Sequence, residues 1–282
     1  MDETHTQWKD WIGRREVARD RIAEAPARAL AATLNRSADL PTEPGSVLPG
    51  VFNWLYFLKF VPMSEIGPDG HPQRGGFLPP VELPRRMWAG SRCRFLAPIR
   101  VGDEAEKTST IQKIETKSGK AGPMVFVSVR HEILVDGRLA VEEDQDIVYM
   151  GIPEKFRLPE PIALPPCEWR ETVPIDPVML FRFSAVTFNG HRIHYDRTYA
   201  MEIEKYPGLV VHGPLQAVLL FDAACRHEPG RTPAQFDFRG VRPLFDFETA
   251  TVNGRNRDDG ATEVFSATGD GAVCMQAVMQ WA

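Results

Sequence analysis

The chain has 282 residues, 43% of them hydrophobic and 25% charged, which excludes intrinsic disorder and allows one sizeable core or two small ones. A formal net charge of -5 and a pI near 5.9 argue against nucleic acid as the main partner, because phosphate recognition leaves a basic excess. Cys93, Cys167, Cys225 and Cys274 form no C-x-x-C pair, so neither a zinc site nor a disulfide framework is indicated, and they read as thiols in a reducing compartment.

The opening MDETHTQWKD is acidic and polar, unlike a secretory signal or a transit peptide. Residues Trp8 to Asn35, rich in Ala, Arg, Glu and Leu, predict helix with a break at Pro26. The longest apolar stretch, Val47 to Pro62, is interrupted by Pro49, Gly50, Asn53 and Lys59 and falls short of the roughly 20 residues of a membrane span. A cytoplasmic protein without membrane contact is therefore expected. Within that stretch VFNWLYFLKF, following Gly50, predicts a buried helix, with strand as the lesser alternative. Gly67 to Pro80 is a loop rich in Gly and Pro. From Met87 to Tyr149 the apolar positions alternate, which predicts an antiparallel sheet with turns at Gly119–Lys120 and Asp136–Gly137.

Gly151 to Pro177 carries Pro153, Pro159, Pro161, Pro165, Pro166, Pro174 and Pro177 and reads as a linker. Beyond it the order recurs: His212-Gly213-Pro214 opens the apolar LQAVLLFDAAC, and a β-rich tail runs from Phe236 to Trp281. FLAPIRVGDEAE around Pro98 echoes GVRPLFDFETAT around Pro243. The layout is a duplicated α+β chain, with residues 1–150 as one domain, 151–177 as the linker and 178–282 as the second domain.

The segment FRFSAVTFNGHRIHYDRTYA, Phe181 to Ala200, places His191 and His194 beside Asn189 in a polar stretch between apolar flanks. One reading is a surface loop in which Asp196 caps a helix over Arg197 to Glu204. The other is proton transfer, for which imidazole has the suitable pKa near neutrality. The spacing matches neither H-x-x-x-H nor H-E-x-x-H, so no metal and no cofactor are expected, and the absence of G-x-S-x-G disfavours a serine nucleophile. In GLVVHGPLQAVLL, Gly208 to Leu220, Gly213 is either an ordinary helix-entry glycine or a point of close approach to the free N–H groups of the helix N-terminus.

F-N-G-H-R-I-H-Y-D-R-T-Y-A, Phe188 to Ala200, resembles the hydratase motif of the MaoC-like and R-specific enoyl-CoA hydratases, keeping His194, Asp196 and Ala200 in register, and His212-Gly213 supplies the motif's second part. FNGHRIHYD is also similar to the type 2 hydroxyacyl-thioester dehydratases and the mesaconyl-CoA hydratases. The resemblance implies a double hot-dog fold, two antiparallel sheets each wrapping a long helix, acting as an acyl-CoA hydratase or dehydratase. It implies that His194 and Gly213 are catalytic, and that the family's catalytic Asp stands here as Asn189, an amide that holds water but takes no proton. His191 is then a supporting residue or an alternative proton carrier, and His212 lies on the substrate side. Arg192, Arg239 and Arg242 are candidates for a substrate carboxylate or for CoA phosphates. With no His near Gly50, the first half is expected to shape the acyl pocket and the second to hold the chemistry. A homodimer of the whole chain is compatible with this layout. Rival readings are a fatty-acid hydroxyacyl-thioester dehydratase, a non-catalytic acyl-CoA-binding protein and a thioesterase.

Overall fold

In the computed structural model, which describes residues 8–119 and 122–282, the first half contributes five strands. These are β1 (Arg15–Arg21), β2 (Arg85–Phe95), β3 (Glu104–Gly119), β4 (Gly122–Val135) and β5 (Arg138–Met150). The second half repeats the set as β6 (Trp169–Val173), β7 (Pro233–Gly240), β8 (Ala250–Asn256), β9 (Thr262–Thr268) and β10 (Val273–Trp281). They pair edge to edge into one ten-stranded sheet in the order β1-β3-β4-β5-β2-β7-β10-β9-β8-β6, so each half mirrors the other across the β2–β7 seam. Every pairing is antiparallel. This is the double hot dog, two repeats joined in one sheet at the β2–β7 seam.

The helices repeat as well. Helix α1 (Glu24–Thr33) corresponds to α2 (Pro177–Val186), and the 3-10 segment Gly50–Leu55 occupies the place that α3 (Gly213–His227) takes in the second half. The wrapping sheet buries α3 on most of its surface, including Leu215, Gln216, Ala217, Val218, Leu220, Phe221, Ala223 and Ala224. Its one long polar group inside, Gln216, is satisfied by the Ser266 hydroxyl at 2.7 Å. Among the described residues no helix is long and apolar enough to cross a membrane.

Four local expectations change. The segment 8–35 is not continuous helix: Arg15–Arg21 is an edge strand paired with β3. Its residues alternate exposed and half-buried, and a charged edge resists pairing with another chain. Pro26 breaks nothing, because it sits in the first turn of α1, where an N–H has no partner to lose. The run after Gly50 makes only a 3-10 turn, ended by Phe57 in the left-handed region (φ 58), whose N–H donates to Asp20 at 2.7 Å. The proline-rich stretch 151–177 is not linker throughout, since Trp169–Val173 falls between prolines and completes the sheet against β8. The hairpin at Asp136–Gly137 does form, both residues left-handed (φ 49 and 74) as a two-residue turn requires. At the other turn, Lys120 lies outside the described residues.

A buried ion pair ties the halves together. Arg85 of β2 meets Glu204 at 2.8 Å, the two side chains only 4% and 2% exposed. The Arg85 guanidinium also stacks on Tyr206, 4.3 Å from the ring centre.

Candidate active site

The segment 187–200 begins where α2 ends. Asp176 caps α2 by accepting from the Met179 N–H at 2.7 Å, and Pro177 pre-forms its first turn. Phe188 then turns left-handed (φ 49), and the Asn189 N–H donates back to the Ser184 carbonyl at 2.8 Å. The Asn189 side-chain oxygen accepts from the His191 N–H at 3.0 Å, which orients its NH₂ as the remaining donor. A 3-10 turn, Arg192–His194, follows. Asp196 does cap the next turn, through the Tyr199 N–H at 3.0 Å, but that turn is a short π-helix, Tyr199–Ile203, rather than an α-helix over 197–204.

His194 is buried, and its Nδ1 lies 2.7 Å from the carbonyl oxygen of Val210. A carbonyl only accepts, so Nδ1 carries the proton and Nε2 holds a free lone pair. Burial lowers the His194 pKa to about 4, with the Val210 carbonyl pulling the other way. The base form is therefore present at neutral pH. The His212 ring stacks on His194 at 3.6 Å and is itself fully buried. His212 Nε2 contacts the Ser184 hydroxyl at 2.8 Å, while its Nδ1 has no hydrogen-bond partner among the described residues. Burial, reinforced by His194, holds the His212 pKa well below its usual value. His212 thus packs against His194 behind the cavity wall and does not itself line the cavity, contrary to its expected place on the substrate side.

Gly213 is the first residue of α3 and Pro214 the second. Proline has no N–H, so the free donors of the first turn are those of Gly213 and Leu215, because Gln216 already donates to His212 at 3.1 Å. A Cβ at Gly213 would meet only ordinary neighbours, Trp88 O at 3.6 Å and Met275 Cε at 3.9 Å. Fold packing alone does not demand glycine here. Gly213, His194, His191 and Asn189 all line one cavity of about 1050 Å³, walled by both halves.

The first half brings an imidazole to this cavity as well as shape. His71 lies with its Nδ1 3.0 Å from Asp69 Oδ2, and its ring is 4.1 Å from that of His191. Burial lowers the His71 pKa, partly offset by Asp69. Two glycines deliver the loop. Gly70 has φ 87, a Cβ on it would come within 1.8 Å of Gly190 O, and one on Gly190 within 2.6 Å of Gly70 O. The Arg192 N–H locks the contact by donating to Asp69 O at 2.9 Å. Nothing local in the sequence marks His71; its only signal was an imidazole inside the Gly/Pro-rich loop. Asp69, His71 and His191 bring three potential ligand atoms within 4.8 Å of one another, but two of those residues already hydrogen-bond to each other.

The three candidate arginines are placed differently from one another. Arg192 grips Asp196 through two donors, at 3.0 and 2.7 Å, and reaches Pro68 O at 3.1 Å, so it fastens the loop instead of lining the cavity. Arg239 is exposed on β7, away from the cavity wall. Arg242 does line the cavity, but it is ion-paired with Glu248 and donates to Pro243 O at 3.1 Å. The sequence reading missed Arg74, Arg86 and Tyr149, first-half residues that face the same space.

Comparison with known proteins fits this arrangement. Residues 51–246 match the family model for hydroxyacyl-thioester dehydratase type 2. Over 276 residues, 97% of each chain, the sequence is 47% identical to the mesaconyl-C(4)-CoA hydratase of Chloroflexus aurantiacus. It is 28% identical over 264 residues to the mitochondrial hydroxyacyl-thioester dehydratase type 2 of Schizosaccharomyces pombe, covering 81% of this chain and 86% of that one. A double hot-dog protein of Mycobacterium tuberculosis superposes with a TM-score of 0.62 at 13% identity over 96% of both chains.

Proposed function

We propose, from the fact that this chain belongs to the hydroxyacyl-thioester dehydratase type 2 family, that it hydrates the double bond of a short, branched, dicarboxylic enoyl-CoA of the mesaconyl type. The class of activity is acyl-CoA hydration and dehydration, a hydro-lyase reaction. The observation that carries the residue assignment is the single tautomer of His194, whose basic Nε2 shares the cavity with the α3 N-terminus. In this reading a water donates to His194 Nε2 and accepts from the Asn189 NH₂. As its oxygen bonds to the β-carbon, its proton passes to His194. The electron pair of the double bond moves toward the thioester, whose oxygen is met by the N–H of Gly213 in the favourable field of the helix N-terminus. His194 then returns the proton to the α-carbon, so water is added and nothing else is released. Dehydration is the same path reversed.

Asn189 contributes position and no proton, and His191, held between the His71 and His194 rings, supports the base. The first half supplies the acyl wall, the second the base and the oxyanion donor. The same reading keeps nucleic acid out, given the net charge of -5, and assigns the chain to a reducing, cytoplasmic setting that suits free cysteines.

The test is to mix the protein with mesaconyl-CoA or crotonyl-CoA and follow both the enoyl-thioester absorbance and free thiol. Alkene loss without thiol is the expected result. Thiol release identifies a thioesterase, and binding without either change identifies a non-catalytic binder. His194→Ala should lower kcat by about 10²- to 10⁴-fold with an unchanged circular dichroism spectrum. Near-normal turnover in that folded variant would remove His194 as the base.

A further inference from the structure

We infer that Arg86, with the Tyr149 hydroxyl beside it, is the site that binds the free carboxylate of the acyl group. The inference deepens the hydratase reading of the same cavity and rests on it for the placement of the acyl chain.

The charged groups of the cavity lead to Arg86 by elimination. Among the described residues four Lys and Arg side chains line it: Lys59, Arg74, Arg86 and Arg242. Lys59 is paired with Glu16 at 2.7 Å, and Arg242 with Glu248. Arg74 spends its two terminal nitrogens on the carbonyls of Val81 and Pro84. Among the described residues Arg86 has no ion pair. Its chain neighbour makes the contrast plain, because successive strand residues point to opposite faces. Arg85 turns to its own buried carboxylate at Glu204, whereas Arg86 turns into the cavity.

Tyr149 is the second, independent observation. It stands directly opposite Arg86 in the β2–β5 ladder, so the two side chains rise from the same face at neighbouring positions. Its hydroxyl is buried and lacks a hydrogen-bond partner of good geometry, and the adjacent guanidinium partly offsets the rise that burial gives its pKa. A carboxylate oxygen accepts from both a guanidinium and a phenol, so one ligand group satisfies both.

The position suits the chemistry. The charge of Arg86 acts on Asp69, His71 and His191, so it lies on the side of the cavity where the His71 and His191 rings meet. In an enedioyl thioester of the mesaconyl type the free carboxylate is bonded to the carbon that water attacks. That negative charge opposes the incoming oxygen, and a guanidinium bound to it removes the repulsion as well as fixing the alkene. Glu65, the other acid on this wall besides Glu16 and outside the Asp69–His71 pair, is exposed.

The test uses two saturated thioesters that differ only at the chain end: succinyl-CoA, with a carboxylate, and butyryl-CoA, with a methyl group. Binding of each to the full chain is measured by calorimetry. The wild-type protein should prefer succinyl-CoA, and Arg86→Gln should reduce that preference by about 10- to 100-fold, the worth of a charge-assisted contact. Tyr149→Phe, which removes one oxygen and keeps the ring, should reduce it by a smaller factor, and Arg86→Lys should restore part of it. A preference that survives in Arg86→Gln overturns the inference. So does equal weakening of both ligands, which would place Arg86 on the CoA phosphates, and so does a wild-type protein with no preference. An Arg86-dependent preference in a protein that hydrates neither mesaconyl-CoA nor crotonyl-CoA would leave the carboxylate site standing and sink the hydratase reading instead.

Discussion

At the scale of single residues, the cluster is built to keep imidazoles neutral. His191, His194 and His212 are all buried, each pushed below its usual pKa first by loss of solvent and then by neighbouring imidazoles. A base with a pKa near 4 is a weak one, but it is never lost to protonation at physiological pH. The acid limb of kcat/KM should therefore fall near pH 4 to 5, lower than the roughly 6.5 of free imidazole. Asn189→Asp gives a sharper check. A carboxylate beside the cavity favours the protonated imidazole, so the acid limb should move upward toward neutrality. An acid limb that stays in place would show that residue 189 does not face the proposed base, His194.

At the scale of elements, the site depends on a backbone-to-backbone contact that side chains cannot reproduce. Gly70 and Gly190 come together where the first-half loop meets the motif loop, and Asp69, Pro68 and Arg192 close the contact with hydrogen bonds. Gly70→Ala places a methyl group 1.8 Å from Gly190 O at a left-handed position, so the loop must move. The expected result is a loss of more than about tenfold in kcat/KM, with destabilisation on the order of 1–3 kcal/mol in a urea titration. Wild-type kinetics in Gly70→Ala would mean that the loop carrying His71 contributes nothing to turnover. The 3-10 turn at Gly50–Leu55 belongs to the same scale. Because no long helix fills the first half, the face of its sheet that carries Arg86, Ile147 and Tyr149 is left to the cavity.

At the scale of the whole molecule, the two halves share the β2–β7 seam, the Arg85–Glu204 pair and the cavity, and they carry a common acid liability. His71, His131, His191, His194 and His212 all have depressed pKa values in the folded chain, burial being the first cause at each. Below about pH 6.5 the unfolded chain binds protons at these positions while the folded chain does not, so stability falls as pH drops. Each such imidazole steepens the fall by up to about 1.4 kcal/mol per pH unit until its folded pKa is reached, which for His194 is about 4. The melting temperature should decline steadily between pH 6.5 and pH 4.5, and His131→Gln, outside the cavity lining, should flatten the decline. A melting temperature constant across that range would contradict the burial of neutral imidazoles.

The sequence by itself determined what is local or repeated along the chain. The duplicated layout followed from a helix-then-strands order found twice, the double hot dog from the resemblance of Phe188 to Ala200 and His212-Gly213 to the hydratase motif, and that contiguous motif also singled out His194 as the proposed base. The Asp136–Gly137 hairpin was legible because a two-residue turn demands left-handed residues. Only the tertiary structure decided which side chains from the other half arrive at the site. His71 and Asp69 lie more than a hundred residues from His191 and meet it through two glycines that approach each other closely, a contact without local pattern. Arg86 looked no different from Arg85 or Arg192 until pairing was counted, because an arginine's availability depends on the acids that the fold sets beside it. The edge strand Arg15–Arg21 was misread as helix for a related reason: its composition suits a helix, and only β3, some ninety residues on, offers it a ladder.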